Sequence, residues 1–253
     1  MDMDPVPRDA AISDTVYARI VEEILTGRWP AGEAVASERD LAQSWQVNRN
    51  AVREALKRVQ QAGLVRISHG GKTRVLDWRT NAGLDVLSAL ALAGAVPAGK
   101  AAVDIAVMRR AIGTDAAGLC ALEATDEQRA AISAAAAAFP ETAELDVLGE
   151  FDLVFWCAVI DGSNNLAYRL ALNTLLAAID DAGATAYNIL NAAELTDHQA
   201  KVELAVAIAA RDADTAGRIA GALLSRLVIA CRSLERSIAA QASPETTLAG
   251  QPA

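Results

Sequence analysis

Apolar residues along this 253-residue chain recur at two different periods, and the change of period marks its parts. From about Ile12 to Thr26, the apolar positions Val16, Ile20, Ile24 and Leu25 fall three to four residues apart, the repeat of a helix with one buried face. Gly27 and Pro30 end it, as a C-terminal stop signal should. The loop WPAGEAV leads to Ser37, whose hydroxyl can cap a second helix over Glu38–Trp45, with Asp40 at the capping-box position. Asn48 is a second good cap, and the helix it opens runs to about Gln61, before Gly63. The period then shortens to two. LVRIS and KTRVL alternate and are rich in β-branched residues, with His69, Gly70 and Gly71 as the turn between them. The stretch DWRTNAGLDVLSALALAG reads as a strand end followed by a linker helix. Beyond Lys100 only helical spacing is found, roughly at 101–122, 126–138, 143–161, 165–182, 185–210 and 213–239. The pattern predicts a mainly α fold: an N-terminal winged helix-turn-helix with a small β wing, and a C-terminal all-α helical bundle. The corresponding segments are a flexible arm at 1–11, a winged-helix domain at 12–78, a linker helix at 79–99, a helical domain at 100–240 and a disordered tail at 241–253.

Composition supports helices over sheets. Aromatic residues make up 4% of the chain, and Ala fills segments such as AAISAAAAAF, favouring close helix packing. Charge is divided unevenly. The chain carries a net −9, yet between Arg39 and Arg74 eight basic residues face only Asp40 and Glu54. A positive island in an acidic chain points to a localised polyanion site. Residues 81–253 hold the acidic surplus, which makes them poor partners for a nucleic acid and suits them to regulation or dimerisation. Cys120, Cys157 and Cys231 are isolated and read as small core residues in a reducing cytoplasm. The N-terminus lacks a secretion pattern, and no apolar run approaches the roughly 20 residues needed to span a bilayer.

The island has a definite geometry. Arg49, Asn50 and Arg53 project from the first turns of the helix that Asn48 caps, where the second helix of such a pair meets base edges in the major groove. Arg bonds guanine bidentately and Asn suits adenine. Helix-turn-helix proteins commonly read a palindrome as a two-fold dimer, so a homodimer on double-stranded DNA is expected.

Residues 12–77 resemble the winged-helix domain of the GntR family of bacterial transcription regulators. GRWPAGEAVASERDLA, VNRNAVREAL and GLVRISHGGKTRV carry the resemblance, in order. The remainder resembles the helical ligand-binding domain of the FadR subfamily, through VMRRAIGTDAAGLCA, EFDLVFWCAVIDGSNNLAYRL and ARDADTAGRIAGALL. HGGKTRV followed by WRTNAGLDVLSAL is similar to the fatty-acid-responsive branch of that subfamily. The resemblance implies DNA contacts from Arg39, Arg49 and Arg53, with His69 and Gly70 at the wing tip entering the minor groove and Lys72 beside them. Asn48, Asn50 and Ala51 stand where many relatives have small hydroxyl residues at the start of the recognition helix.

Most relatives of the helical domain hold a divalent metal with one Asp and three His. The matching positions here are Asp152, Trp156, Lys201 and Leu223 or Leu224, with His198 one helical turn from Lys201. Trp has no lone pair to offer and a protonated Lys is a poor ligand, so no metal cofactor is expected. Exchanging an imidazole for Trp156 suits the pocket to an apolar guest. The fatty-acid-responsive branch likewise lacks the metal pattern and binds long-chain acyl-CoA, which makes a fatty acyl-CoA the expected effector. A small carboxylate or sugar acid held without metal is the alternative. Candidate pocket residues are Arg109, Asp152, Phe155, Trp156, Asn165, Tyr168 and Tyr187, with Arg109 as the partner of an acidic effector group. Catalysis has no support in the sequence: there is no Gly-rich phosphate loop, no GxSxG and no HExxH, and the two histidines fall in separate parts of the chain.

Overall fold

A computed structural model describes residues 8–68 and 72–242 of the chain, which divides into two compact units at residues 97 and 98. The wing turn with His69 and Gly70, the first seven residues of the expected arm and the tail from 243 lie outside the described residues.

In the first unit, α1 (Arg8–Leu25) starts four residues ahead of the expected Ile12. Two short helices follow, α2 (Glu38–Trp45) and α3 (Arg49–Gln61), with the bounds that their caps implied. Ser37 Oγ accepts from the Asp40 amide at 3.2 Å, and Asn48 Oδ1 accepts from the Ala51 amide at 2.7 Å. Between the helices Gln46 takes a left-handed conformation at φ 55°, which turns the chain within three residues. One face of α3, formed by Ala51, Val52, Ala55, Leu56 and Val59, is buried against the core that α1 completes with Val16, Ile20 and Ile24. Arg58 ties the same two helices together at the surface: Nη1 donates to Asp14 Oδ1 at 2.5 Å, and the guanidinium lies 4.3 Å from the centre of the Tyr17 ring.

The wing is a two-stranded antiparallel ladder of β1 (Val65–Arg66) and β2 (Arg74–Val75), in register Val65 to Val75 and Arg66 to Arg74. Ala34 makes an isolated bridge to Arg74, so the loop ahead of α2 extends the wing. Gly63 joins α3 to the wing at φ +73°, and a Cβ there would stand 2.2 Å from the Asn81 carbonyl oxygen. The single linker helix expected at 79–99 is instead three short pieces: α4 (Trp78–Asn81), a 3₁₀ turn (Leu84–Val86) and α5 (Leu87–Leu92). Gly83 interrupts the helical run, and Val86 and Leu90 are buried in the first unit's core.

The second unit is all helical. Two long helices, α6 (Ala98–Glu123) and α13 (Ala213–Ala242), pack antiparallel along each other. Small residues permit the close approach: a Cβ added at Gly99 would meet Glu235, at Gly113 it would meet Leu224, and at Gly118 it would lie near the Ala213 carbonyl. Around this pair stand α7 (Asp126–Ala138), α8 (Leu145–Gly162) and α9 (Leu166–Ala182). The single helix expected at 185–210 is three: α10 (Ala184–Leu190), α11 (Ala192–Leu195) and α12 (His198–Ala209). Asn191 breaks the first junction. At the second, Asp197 leaves helical geometry to accept from the Ala200 amide at 2.9 Å and pairs with Arg226. The core is built from Ile132, Phe155, Val159, Leu204, Ile208 and Leu223. Cys120 and Cys231 are buried free thiols whose pKa values burial raises. No described helix is long and apolar enough to cross a membrane.

Candidate functional site

Two places concentrate chemistry, one in each unit. The first is the outward face of α3. Burial of every apolar residue on its inner side leaves Asn48, Arg49, Asn50, Arg53 and Lys57 exposed together. Glu38, from the first turn of α2, organises them. Its Oε2 lies 3.3 Å from Arg53 Nη2 and 3.9 Å from Arg49 Nη2, and both arginine side chains keep about half their surface in water, 60% for Arg49 and 48% for Arg53. Ion pairs this exposed contribute less than about 1 kcal/mol to stability and yield readily to a stronger anion. Arg39 and Lys72 are also exposed on the first unit, whereas Asn48 spends its carbonyl oxygen on the helix cap. Glu38 was missed in the sequence because it falls one position outside the basic stretch that begins at Arg39.

The second place lies inside the helical unit, where four of the expected effector residues meet. Arg109 on α6 donates from Nη1 and Nη2 to the two oxygens of Glu194 on α11, at 2.7 and 2.6 Å, and its Nη2 stands 3.7 Å from Asp152 Oδ2 on α8. Trp156 Nε1 donates to Glu194 Oε1 at 3.2 Å. Lys201 on α12, with its side chain wholly buried, donates to the Glu194 backbone carbonyl at 2.8 Å and lies 4.4 Å from the centre of the Phe139 ring. Its Nζ is 3.3 Å from Asp152 Oδ1, a charge contact in which that oxygen accepts no aligned hydrogen bond. Two cations and two anions are thus buried together.

Their protonation follows from that balance. Burial and the Glu194 charge push the Asp152 carboxyl up to about 6, against the opposing pull of Lys201 and Arg109. For Arg109, burial disfavours the cation but Glu194 outweighs it, so the guanidinium is held more firmly protonated than in water. Burial raises the Tyr187 phenol above its ordinary value and keeps it neutral.

Two chambers open beside the quartet. The larger, about 740 Å³, is walled mainly by apolar residues including Ile105, Leu175, Ile179, Leu190, Leu227 and Leu234. The smaller, about 310 Å³, is lined by Asp146, Glu150, Asp152, Trp156 and Asn188 among others. Arg109, Leu175, Ile179 and Tyr187 line both. The remaining expected effector residues lie elsewhere. Phe155 is fully buried in the core, Asn165 caps α9 by accepting from the Ala167 and Tyr168 amides, and the Tyr168 hydroxyl donates to Asp115 at 2.7 Å. None of the three lines either chamber.

A divalent metal does not fit the residues present. The Lys201 ammonium already stands against Asp152, the Trp156 N–H is committed to Glu194, and Leu223 and Leu224 are buried hydrocarbon. His198 begins α12 with its ring centre 6.4 Å from that of Phe139.

An exposed, capped cationic helix on a winged scaffold, joined to a helical unit that contains a chamber, defines a class: a DNA-binding transcription regulator with a ligand-binding domain. The chain belongs to the GntR family. The profile described as bacterial regulatory proteins, gntR family, matches residues 12–75, and that of the FCD domain matches residues 104–226. The HTH-type transcriptional regulator Mce2R of Mycobacterium tuberculosis is 34% identical over 96% of this chain and 99% of its own length. The fatty acid metabolism regulator protein of Vibrio cholerae is 37% identical over 71 residues, 28% of this chain and 25% of that protein. Among solved structures, the Lar regulator of Listeria monocytogenes superposes with a TM-score of 0.55 at 14% identity, over 92% of this chain and all of that one, a likeness of fold.

Proposed function

We propose that this regulator binds a short two-fold-symmetric duplex as a homodimer, and that a long-chain acyl guest in the helical unit, presented as its coenzyme A thioester, lowers that affinity. Arg49, Asn50 and Arg53 read bases in the major groove, Arg39 and Lys72 hold phosphates, and the wing tip carrying His69 and Gly70 enters the minor groove. Glu38 gives up its arginines to the DNA. The observation that carries the ligand reading is the 740 Å³ chamber, whose apolar walls suit a hydrocarbon chain. Arg109 weighs against a small carboxylate or sugar acid, because its charge is already balanced by Glu194 in a bidentate pair. The named Vibrio relative regulates fatty acid metabolism, though its similarity is confined to the length of a DNA-binding domain.

A guest shifts the equilibrium only by binding the DNA-competent and incompetent forms unequally. The coupling is assigned to residues 81–93, which precede the junction at 97 and 98 and bury Val86 and Leu90 in the first unit. A duplex selected from a random pool, titrated with and without oleoyl-CoA, tests this. At least a tenfold loss of affinity on saturation is expected, on the order of 1.4 kcal/mol of coupling. An unchanged affinity ends the acyl-CoA reading.

A further inference from the structure

The smaller chamber is polar in a lopsided way. Three carboxylates, on Asp146, Glu150 and Asp152, line it against one guanidinium, that of Arg109. Asp146 is occupied, accepting from Thr185 Oγ1 at 3.0 Å and from Asn188 Nδ2 at 2.9 Å. Glu150 is exposed to solvent. Asp152 is different: its side chain is 93% buried, Oδ1 has the Lys201 ammonium at 3.3 Å without an aligned hydrogen bond, and Oδ2 reaches Arg109 only at 3.7 Å. A buried carboxylate whose two cations meet it at poor hydrogen-bond geometry keeps acceptor capacity that a donor on a guest would use. The charges of the cations nearby are already balanced by carboxylates. Arg109 is bidentate on Glu194, and Lys201 is wholly buried and does not line the chamber. A guest whose chain fills the apolar chamber brings its polar end past Arg109 and Tyr187, which line both spaces, to the acceptors of the smaller one.

We infer that Asp152 determines specificity for the polar end of the guest: it accepts a hydrogen bond from an amide N–H or hydroxyl and turns away a free carboxylate. The inference rests on the reading that the two chambers hold one chain-bearing guest, and it deepens that reading by naming the head group. A coenzyme A thioester meets the requirement, because its acyl carboxylate is masked and its pantetheine arm carries amide N–H groups.

The test is direct binding by calorimetry to the full-length protein without DNA, at pH 8, using three probes with one chain: decanamide, methyl decanoate and decanoate. The ester is neutral but has no donor, so it separates hydrogen bonding from mere neutrality. Decanamide is expected to bind on the order of tenfold tighter than methyl decanoate, the scale of a hydrogen bond to a charged acceptor, with decanoate weakest. In Asp152→Asn the side-chain amide can donate to a carboxylate, so decanoate gains affinity and the spread between probes narrows. Equal binding of amide and ester to the wild type overturns the role of Asp152 while leaving the guest reading intact, as does an unchanged spread in folded Asp152→Asn. Failure of all three probes to bind overturns both. The amide-to-ester comparison in the wild type decides the matter even if the variant does not fold.

Discussion

The same pair of residue types, arginine and glutamate, does opposite work in the two units. Glu38 lies 3.3 Å from Arg53 at a surface where the side chains keep 32% and 48% of their exposure. Glu194 lies 2.6 Å from Arg109 where the exposures are 0% and 10%. Water screens the first pair, so its charges are available to another anion at little cost in stability. The second pair has lost its hydration, and the Glu194 charge holds the Arg109 guanidinium protonated against burial. The difference teaches that an arginine's readiness to meet a ligand is set by what already holds it. Arg49 and Arg53 are held loosely and stay open to another anion, whereas Arg109 is a fixed part of the wall.

The contrast can be broken most forcefully at Glu194. Glu194→Ala leaves Arg109 and Lys201 facing Asp152 alone in a buried site, and a loss of about 3–5 kcal/mol in unfolding free energy by denaturant titration is expected. A change under roughly 1 kcal/mol would show that the buried pair behaves like the surface one. At the surface, Glu38→Gln frees Arg49 and Arg53 from their competing anion. Affinity for unselected duplex should rise severalfold while stability moves by less than about 1 kcal/mol, so the ratio of selected to unselected binding falls. Tighter discrimination would contradict the role given to Glu38. Lys72→Ala should have the smallest effect, a uniform weakening on every duplex, with the slope of log affinity against log salt shallower by about one. A sequence-dependent loss would instead make Lys72 a base reader.

The division between legible and hidden follows from the same physics. Local chemistry was readable: Ser37 and Asn48 cap α2 and α3, and the alternation around Val65 and Val75 marks the wing. Breaks hidden inside an apolar rhythm were not. The run from 185 to 210 keeps helical spacing, and only Asn191 and the capping Asp197 signal that it is three helices. Gly83 gave a comparable warning in the linker. Of the buried site, Arg109, Asp152, Trp156 and Tyr187 were nominated, but Glu194 was not, since its partner is 85 residues away. One acidic residue in the apolar stretch AAEL was the available signal, because a buried charge must find a counterion. Lys201 stands at a ligand position of the metal-binding relatives, and in the fold its Nζ instead donates to the Glu194 carbonyl and lies 3.3 Å from Asp152 Oδ1. Phe155, Asn165 and Tyr168 sit on the expected helices but face the core, a cap and Asp115, assignments that depend on packing that spacing alone does not carry.

The most direct measurement is made on the double variant Arg49→Ala/Arg53→Ala, by comparing its melting temperature and its affinity for the selected duplex with those of the wild type. A melting temperature within a few degrees of wild type and a loss of affinity on the order of a hundredfold or more are expected, because the surface arginines contribute little to the fold and most of the base reading. Wild-type affinity in the folded variant would contradict the assignment of α3 as the DNA-reading helix.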